Sequence, residues 1–481
     1  MSDTVTQPKP GESRAQALDA LRGLAILAML LSSEMPFGDN SLPSWMYHAQ
    51  VPPPRHEFMG DLPGITWVDL VFPFFLFSMG ASFPLALGRR LRAGASEWSV
   101  AGAIFKRGFL LGFFALFVAD IRPGVLSAHP STGTWLLGLA GFLILFPILA
   151  RLPETWKPAP RWTIRLAGWA GALLFLALAR YPGGAGFSLE RSDIIIIVLT
   201  NMAVFGALIW LVTRHHLLPR LGIIGLVLAI RLSNMPHPLG GWVTSFWNFS
   251  PTPWIYKLYY LQYLCIVLPG TVAGEFLEEW SRRRAEESAP SWSAGRTGAV
   301  ALVMCAFIPV LLAGLKSRWL PGTPLVVFAM CLAGWPLVKS AVTPTEQLYK
   351  NLFLWGVYWM VLGLFLESYE GGIKKDRATV SYYFVTTGLA HGALILLSIV
   401  IDVFKKQRWL RLFIQTGQNP MIAYAGVNNF ITPLLALTGL AGVLDHWARR
   451  PWRGFWRGVL VTLLMGLAAS FLTRKKVFWR T

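Results

Sequence analysis

The sequence predicts an all-α, polytopic membrane protein with about 11–14 transmembrane helices. Three observations carry this. Hydrophobic residues make up 54% of the 481-residue chain, charged residues only 14%, and the mean hydropathy is +0.50. A soluble protein carries roughly 25% charged residues. A soluble chain of this length could not cover its surface with so few, whereas lipid covers an apolar surface directly.

The elements follow in order. Residues 1–17 are largely polar and read as a short cytoplasmic segment, with no small-x-small cleavage site after the first apolar run. That run, LAILAMLL, belongs to a first helix starting near Leu18. Further spans are expected at 66–88, 102–119, 133–150, 163–180, 193–213, 217–230, 254–274, 297–315, 322–338, 351–366, 379–401, 412–441 and 458–473. At 1.5 Å per residue, about 20 residues cross the hydrocarbon. The 217–230 run is short for this, and the 412–441 run, with Asn428 and Asn429 inside it, is either one tilted helix or a broken pair. No internal repeat or soluble appendage is evident, so one integral membrane domain is expected to fill residues 1–481.

Charge sets the orientation. The chain has 43 Lys and Arg against 24 Asp and Glu, a net +19 and a pI near 10.2. The basic residues cluster in alternate loops: Arg89, Arg90, Arg92, Lys106 and Arg107; Arg151, Lys157, Arg161 and Arg165; Arg214 and Arg220; Arg282, Arg283, Arg284 and Arg296; Lys405, Lys406, Arg408 and Arg411. By the positive-inside rule these loops face the cytoplasm, as does the amino terminus. The 32–65 loop, with Glu34, Asp39, Glu57 and Asp61 against Arg55 alone, faces outward. At the end, Arg449, Arg450, Arg453 and Arg457 compete with Arg474, Lys475, Lys476 and Arg480 for the inner side. One helix over 412–441 puts the second group inside; two helices put the first there. The basic balance is therefore a topological signal. No basic–aromatic sheet motif or zinc spacing points to nucleic acid or a metal. Cys265, Cys305 and Cys331 lie unpaired in apolar stretches and read as buried thiols.

Ionisable and amide groups at the ends of spans are costly in lipid, so they mark the places to look for function. Asp19 and Arg22 form an i,i+3 pair in LDALRGL, either a helix cap or part of a cofactor-binding turn. The outward loop carries His48 and His56, and Asp69 follows about one turn inside the second helix. A carboxylate there either stabilises the helix N-terminus or orients an imidazole, leaving its other nitrogen free as base or nucleophile. Pro73 four residues on predicts a kink. Asp193 and Asn201 share a face of the sixth span, Arg231 and Asn234 close the seventh, and His391 lies mid-span. GQNPMIAYAGVNN places Asn419, Tyr424, Asn428 and Asn429 where amides either glue helices or line a polar-substrate site. Lys374, Lys375, Asp376 and Arg377 read as a solvated loop.

LDALRGLAILAML, an outward loop with histidine, VDLVFPFFLFSMG, IKKDRATVSYYFVTTGL and GQNPMIAY together resemble the heparan-alpha-glucosaminide N-acetyltransferase family of multi-pass membrane acyltransferases and its bacterial relatives. The likeness covers both ends of the chain, with a poorly matched middle. It implies an enzyme that takes an acetyl group from cytoplasmic acetyl-CoA and delivers it to an amino sugar or other glycan outside. A homodimer in a bacterial inner membrane is implied as well. The family's histidine stands in a His-Ala-x-Trp-x-Gly segment before its aspartate. His48, followed by Ala49, matches better than His56, although His56 is nearer Asp69 in sequence. The chain departs from the pattern in its inserted VPPPRHEFMGDLP and in SSEM at 32–35, where the family tends to place an asparagine.

On this reading His48 or His56, oriented by Asp69, is catalytic. The CoA phosphates fall near Asp19, Arg22, Arg89, Arg90, Lys106 and Arg107. Asn201, Asn419, Tyr424 and Asn428 meet the substrate, with Asn419 or Asn201 holding the oxyanion. No metal is expected. The alternative function is a multi-pass sugar or small-solute transporter, which many spans, Pro and Gly breaks and buried amides also suit.

Overall fold

The structure, a computed structural model, describes residues 15–38, 41–153, 155–234, 241–284 and 291–481. The N-terminal segment 1–14 and the loop acid Asp39 lie outside the described residues. Among the described residues the secondary structure is helical, with isolated bridges in place of strands. Among the described residues eleven helices are long and apolar enough to cross a membrane. They are α1 (Gln16–Ser33), α2 (Trp67–Arg92), α3 (Glu97–Asp120), α4 (Thr132–Leu149), α6 (Ile194–Thr213), α8 (Leu258–Arg283), α9 (Ala294–Lys316), α11 (Pro344–Phe365), α12 (Val380–Val403), α14 (Pro420–Leu437) and α15 (Pro451–Arg474).

Among the described residues three further helices of 16 residues or more run beside them. The first is α5 (Pro158–Leu178), which has Arg161 and Arg165 in its first half. The others are the shorter α7 (Leu217–Leu232, 16 residues) and α10 (Gly322–Val338, 17 residues). The 412–441 stretch is a broken helix: α13 (Arg411–Gly417) ends at Gln418–Asn419, and Pro420 starts α14. Proline is tolerated at a first helical position because its missing N–H would be unpaired there anyway.

Hydrogen bonds at the helix ends show which loops share a side. Arg151 N donates to Phe478 O and Arg480 N to Leu149 O, both at 2.8 Å, so the carboxy-terminal tail lies against the basic 150–157 loop. Arg284 pairs with Asp402 at 3.1 Å, and Arg92 with Glu278, at that same basic end. Arg457 reaches Glu34 at 3.1 Å at the opposite end, beside the 34–66 loop. The competition between the last two basic clusters is thereby resolved. α13 and α14 make one crossing, and Arg474, Lys475, Lys476 and Arg480 join the basic end.

The centre of the bundle is α12, buried along nearly its whole length, with α1, α2, α8 and α11 against it. Glycines let two of these backbones touch α13 and α8. A Cβ on Gly23 of α1 would stand 1.9 Å from Phe413 O, and one on Gly417 of α13 would stand 1.8 Å from Asp19 O. Likewise a Cβ on Gly80 of α2 would meet Val267 O of α8 at 2.1 Å. Close backbone approach at small residues is how helices associate where lipid removes the hydrophobic drive between them. Of the three thiols, Cys265 and Cys331 are buried, while Cys305 is exposed on the outer face of α9, where lipid would cover it.

Candidate functional site

The loop between α1 and α2 folds back over the bundle and is held there by its own polar groups. Gln50, fully buried, donates from Nε2 to Leu62 O (2.8 Å) and Gly64 O (3.1 Å), and its backbone carbonyl accepts Met59 N at 2.8 Å. Thr66 then caps the opening turn of α2 in a reciprocal capping box with Asp69. Thr66 N donates to Asp69 Oδ2 at 2.8 Å, and Thr66 Oγ1 donates to Tyr47 O at 2.7 Å.

This arrangement engages one Asp69 oxygen with the backbone and leaves the other to His48. Oδ2 also accepts Ala49 N at 3.2 Å and faces Thr66 Oγ1 at 3.3 Å. Oδ1 takes His48 Nδ1 at 2.7 Å. The Asp69 side chain is wholly buried and that of His48 is 34% exposed. A carboxylate accepts only, so Nδ1 is the donor and Nε2 is the ring nitrogen turned away from Asp69. The structure thus brings His48 and Asp69 together, as the sequence reading expected of the pair.

His56 is placed elsewhere. Its Nε2 meets Ser41 Oγ at 2.9 Å, its Nδ1 is buried without a partner, and its ring lies between Phe37 and Tyr47, 4.6 Å from each centroid. Burial pushes the neighbouring Tyr47 phenol up from its ordinary value. Burial likewise raises the Glu34 carboxyl, against the opposing pull of Arg457.

Residues from the far end of the sequence complete the site. Lys375 Nζ stands 3.3 Å from both ring nitrogens of His48 and 3.7 Å from Asp376 Oδ2. Its loop, expected to be solvated, is instead tied down. Glu370 accepts Arg231 Nη2 at 2.7 Å, and Arg231 also donates to Ala378 O and lies over the Tyr383 ring. Gly64 N reaches Ile373 O at 2.8 Å, joining this loop to the one that carries His48. Tyr382, at the start of α12, donates from its hydroxyl to Asp69 O at 2.7 Å. The sequence signal for Lys375 and Tyr382 was the IKKDRATVSYY match itself, which composition and charge alone do not single out.

The residues expected near CoA occupy the opposite half of the bundle. Asp19 is buried and bonds Arg22 (3.4 Å) and Gln418 (3.2 Å). Arg22 also donates to Gly417 O (3.3 Å) and Ser78 O (3.2 Å), linking α1, α2 and α13. Arg107 is half-buried, its guanidinium 5.9 Å from the Phe83 ring centroid, whereas Arg89, Arg90 and Lys106 are exposed. Ser78 lies nine residues past Asp69, roughly 14 Å along a helix axis. Between the two levels an apolar crevice opens where α1, α2, α3, α6 and α14 meet, lined by Ile26, Met29, Phe72, Phe75, Leu111 and Tyr424 among others.

The amides expected at the substrate are mostly occupied with the protein's own backbone. Asn201 donates to Ile197 O (2.8 Å) and Ile255 O (2.7 Å). Asn419 holds the tail, donating to Val477 O (2.7 Å) and accepting Trp479 N (3.1 Å). Tyr424 donates to Asp193, which caps α6 and pairs with Arg122. Asn428 is exposed on α14, while Asn429 is buried against Ala425 O at 3.0 Å. His391 bonds Thr387 O of its own helix at 2.9 Å, and its Nε2 has no partner. Among the described residues no group of His, Cys, Asp and Glu is placed to hold a metal ion.

A family model described as "Domain of unknown function (DUF5009)" matches residues 14–277, more than half of the chain. The chain belongs to this family. The DUF5009 match runs from α1 into α8 and so includes His48 and Asp69, but stops short of Lys375 and Tyr382. Two curated relatives are similar over shorter stretches. Heparan-alpha-glucosaminide N-acetyltransferase of Mus musculus is 30% identical over 161 residues, 31% of this chain and 20% of the mouse protein. The protein of the same name in Homo sapiens is 29% identical over 107 residues, 22% of this chain and 14% of the human one. The alignments thus span a fifth or less of these relatives.

Proposed function

We propose that this chain is an acetyl-CoA-dependent N-acetyltransferase of a bacterial inner membrane, with its basic end in the cytoplasm and His48 at the outer end. The acceptor is the amine of an amino sugar or related glycan. The observation that carries the reading is the His48 Nδ1–Asp69 Oδ1 pair at 2.7 Å, with a wholly buried carboxylate behind a partly open imidazole. The similarity to proteins named as N-acetyltransferases supports the group transferred.

In the proposed reaction the CoA phosphates stay near Arg22 and Arg107 while the pantetheine arm threads the apolar crevice toward Asp69. The acceptor nitrogen attacks the thioester carbonyl as His48 Nε2 takes its proton. The C–N bond forms, the C–S bond breaks, and the imidazolium returns the proton to the departing thiolate. Asp69 holds the tautomer throughout.

The test is incubation of the purified protein with labelled acetyl-CoA and a panel of amino sugars, following thiol release and labelled product. His48→Ala is expected to lower turnover at least 10²-fold, the usual lower bound for a general base. His56→Ala should stay within a few-fold of the parent. Absence of thiol release with every acceptor overturns the reading, and full activity in H48A relocates the site.

A further inference from the structure

The proposed transfer needs a group to hold the negative charge that develops on the thioester oxygen, and neither amide expected there is free. Asn201 donates to two carbonyls and Asn419 is engaged with the carboxy-terminal tail. The geometry points to Lys375 as a second catalytic residue, whose ammonium receives that oxyanion beside His48. This inference rests on the acetyltransferase reading and deepens it.

Lys375 has the position the role requires. Nζ lies 3.3 Å from both Nδ1 and Nε2, which places it over the ring, so with Nδ1 committed to Asp69 the Nε2 edge stays open beside the ammonium. A carbonyl whose carbon is attacked by a nucleophile touching Nε2 would place its oxygen within reach of Nζ. The charge is suited as well. Asp69 and Asp376 are the acids placed near this point, the first buried behind the imidazole and the second 3.7 Å from Nζ, so the ammonium is only loosely paired in front of the ring.

The lysine is also held where a mobile surface residue would not be. Lys374 N bonds Thr379 Oγ1 (3.1 Å) and Thr379 N bonds Lys374 O (3.1 Å), which closes the loop around Lys375. The Arg231–Glu370 pair and the Gly64–Ile373 bond fix the same loop to α7 and to the His48 loop. The side chain itself remains 23% exposed, open to a ligand. A fixed cation in a partly dry site stabilises developing charge without reorganising at the moment of reaction.

The step balances without further reagents. The acceptor lone pair forms the C–N bond and the carbonyl π pair moves onto oxygen, facing the Lys375 N–H. Collapse of that oxyanion restores the C=O bond and expels the thiolate, which takes the amine's proton from His48. Lys375 stays protonated from start to finish.

The experiment compares full-length Lys375→Met and Lys375→Cys, the latter before and after alkylation with 2-bromoethylamine, which rebuilds an ammonium at that reach. Each is assayed with labelled acetyl-CoA and an acceptor the parent protein uses, alongside its melting temperature in the same detergent. K375M is expected to lose about 10²–10³-fold in kcat, the usual effect of removing one oxyanion donor, with KM for acetyl-CoA within a few-fold. Alkylation of K375C should recover most of the lost kcat. Turnover of K375M within about threefold of the parent overturns the assignment, as does failure of alkylated, folded K375C to recover. Should K375M not fold, the K375C pair decides alone. Absence of turnover in the parent protein instead overturns the acetyltransferase reading itself.

Discussion

Replacing Asp69 by asparagine tests the dyad most sharply, because the structure dictates how the amide must sit. Oδ2 faces two backbone donors, Thr66 N at 2.8 Å and Ala49 N at 3.2 Å. An amide nitrogen cannot accept from either, so the asparagine oxygen must take this position and its NH2 must turn to His48. Nδ1, 2.7 Å away, then becomes the acceptor and the ring hydrogen moves to Nε2. The imidazole would present a donor where the reaction needs a base. A wrong tautomer in a Ser–His–Asp triad costs about 10⁴ in kcat, and loss of general base catalysis as such costs about 10²–10⁴. We therefore expect D69N to lose between these limits, about 2.7–5.5 kcal/mol of transition-state stabilisation. Its melting temperature should stay near that of the parent, since the capping bonds of Thr66 survive. Asp69→Ala should differ, losing stability too, because it strands Thr66 N and Ala49 N in a buried site at about 1–3 kcal/mol for each unmade bond. The assay is single-acceptor turnover of labelled acetyl-CoA beside thermal unfolding in detergent. A folded D69N with turnover within threefold of the parent refutes the tautomer argument.

Other expectations follow from single contacts. Tyr382→Phe removes the hydroxyl that donates to Asp69 O at 2.7 Å. It should cost about 1 kcal/mol of stability and a few-fold in kcat, read by thermal unfolding and turnover. Arg231→Met breaks a pair whose side chains are 13% and 20% exposed. The expected loss is about 1–3 kcal/mol, below the 3–5 of a fully buried pair. Because the Glu370 loop carries Lys375, kcat should fall with it, measured on the same samples. Gly417→Leu drives a side chain into Asp19 O, 1.8 Å from where its Cβ would stand. A loss of folded yield is expected, with a melting temperature several degrees lower in whatever protein is recovered, since overpacking alone costs about 1–3 kcal/mol and here the neighbour is backbone.

How much of this was legible in the sequence depends on how local the cause is. Each expected span overlaps a helix, because a continuous apolar run of membrane length needs no partner to declare itself. The break in the 412–441 run is ambiguous in sequence, since Asn419–Pro420 reads alike as a kink within one helix or a turn between two. Contacts of the carboxy-terminal tail with Leu149 and Arg151 settled its side, and no loop count could supply those. His48 and Asp69 were readable as candidates because a capping acid and a nearby histidine lie within one loop and one turn. Asn201 and Asn419 show the reverse. A buried amide has the same sequence signature whether its hydrogen bonds go to a substrate or to a backbone carbonyl, and here they go to Ile255 and Val477.

Lys375 reads as part of a solvated loop for a related reason, and the physical cause bears on how such a site is built. Four charged residues in succession, KKDR, have the composition of a solvated loop. What withdraws this one from solvent is Glu370, which accepts Arg231 on one oxygen and Val380 N on the other. That buries the loop's base and aims Lys375 back over the His48 ring. The two halves of the site are about three hundred residues apart in the chain, and each is fixed by its own local device: a capping box on α2, and an ion pair at the head of α12. They meet where α2 and α12 pack side by side, joined by the Tyr382 hydroxyl on the Asp69 carbonyl and by Gly64 N on Ile373 O. A helix shift of a fraction of a turn would leave both local devices intact and still separate lysine from imidazole. The register between α2 and α12 is therefore as much a part of the proposed chemistry as the side chains, and the Tyr382–Asp69 hydrogen bond is one of the contacts that hold it.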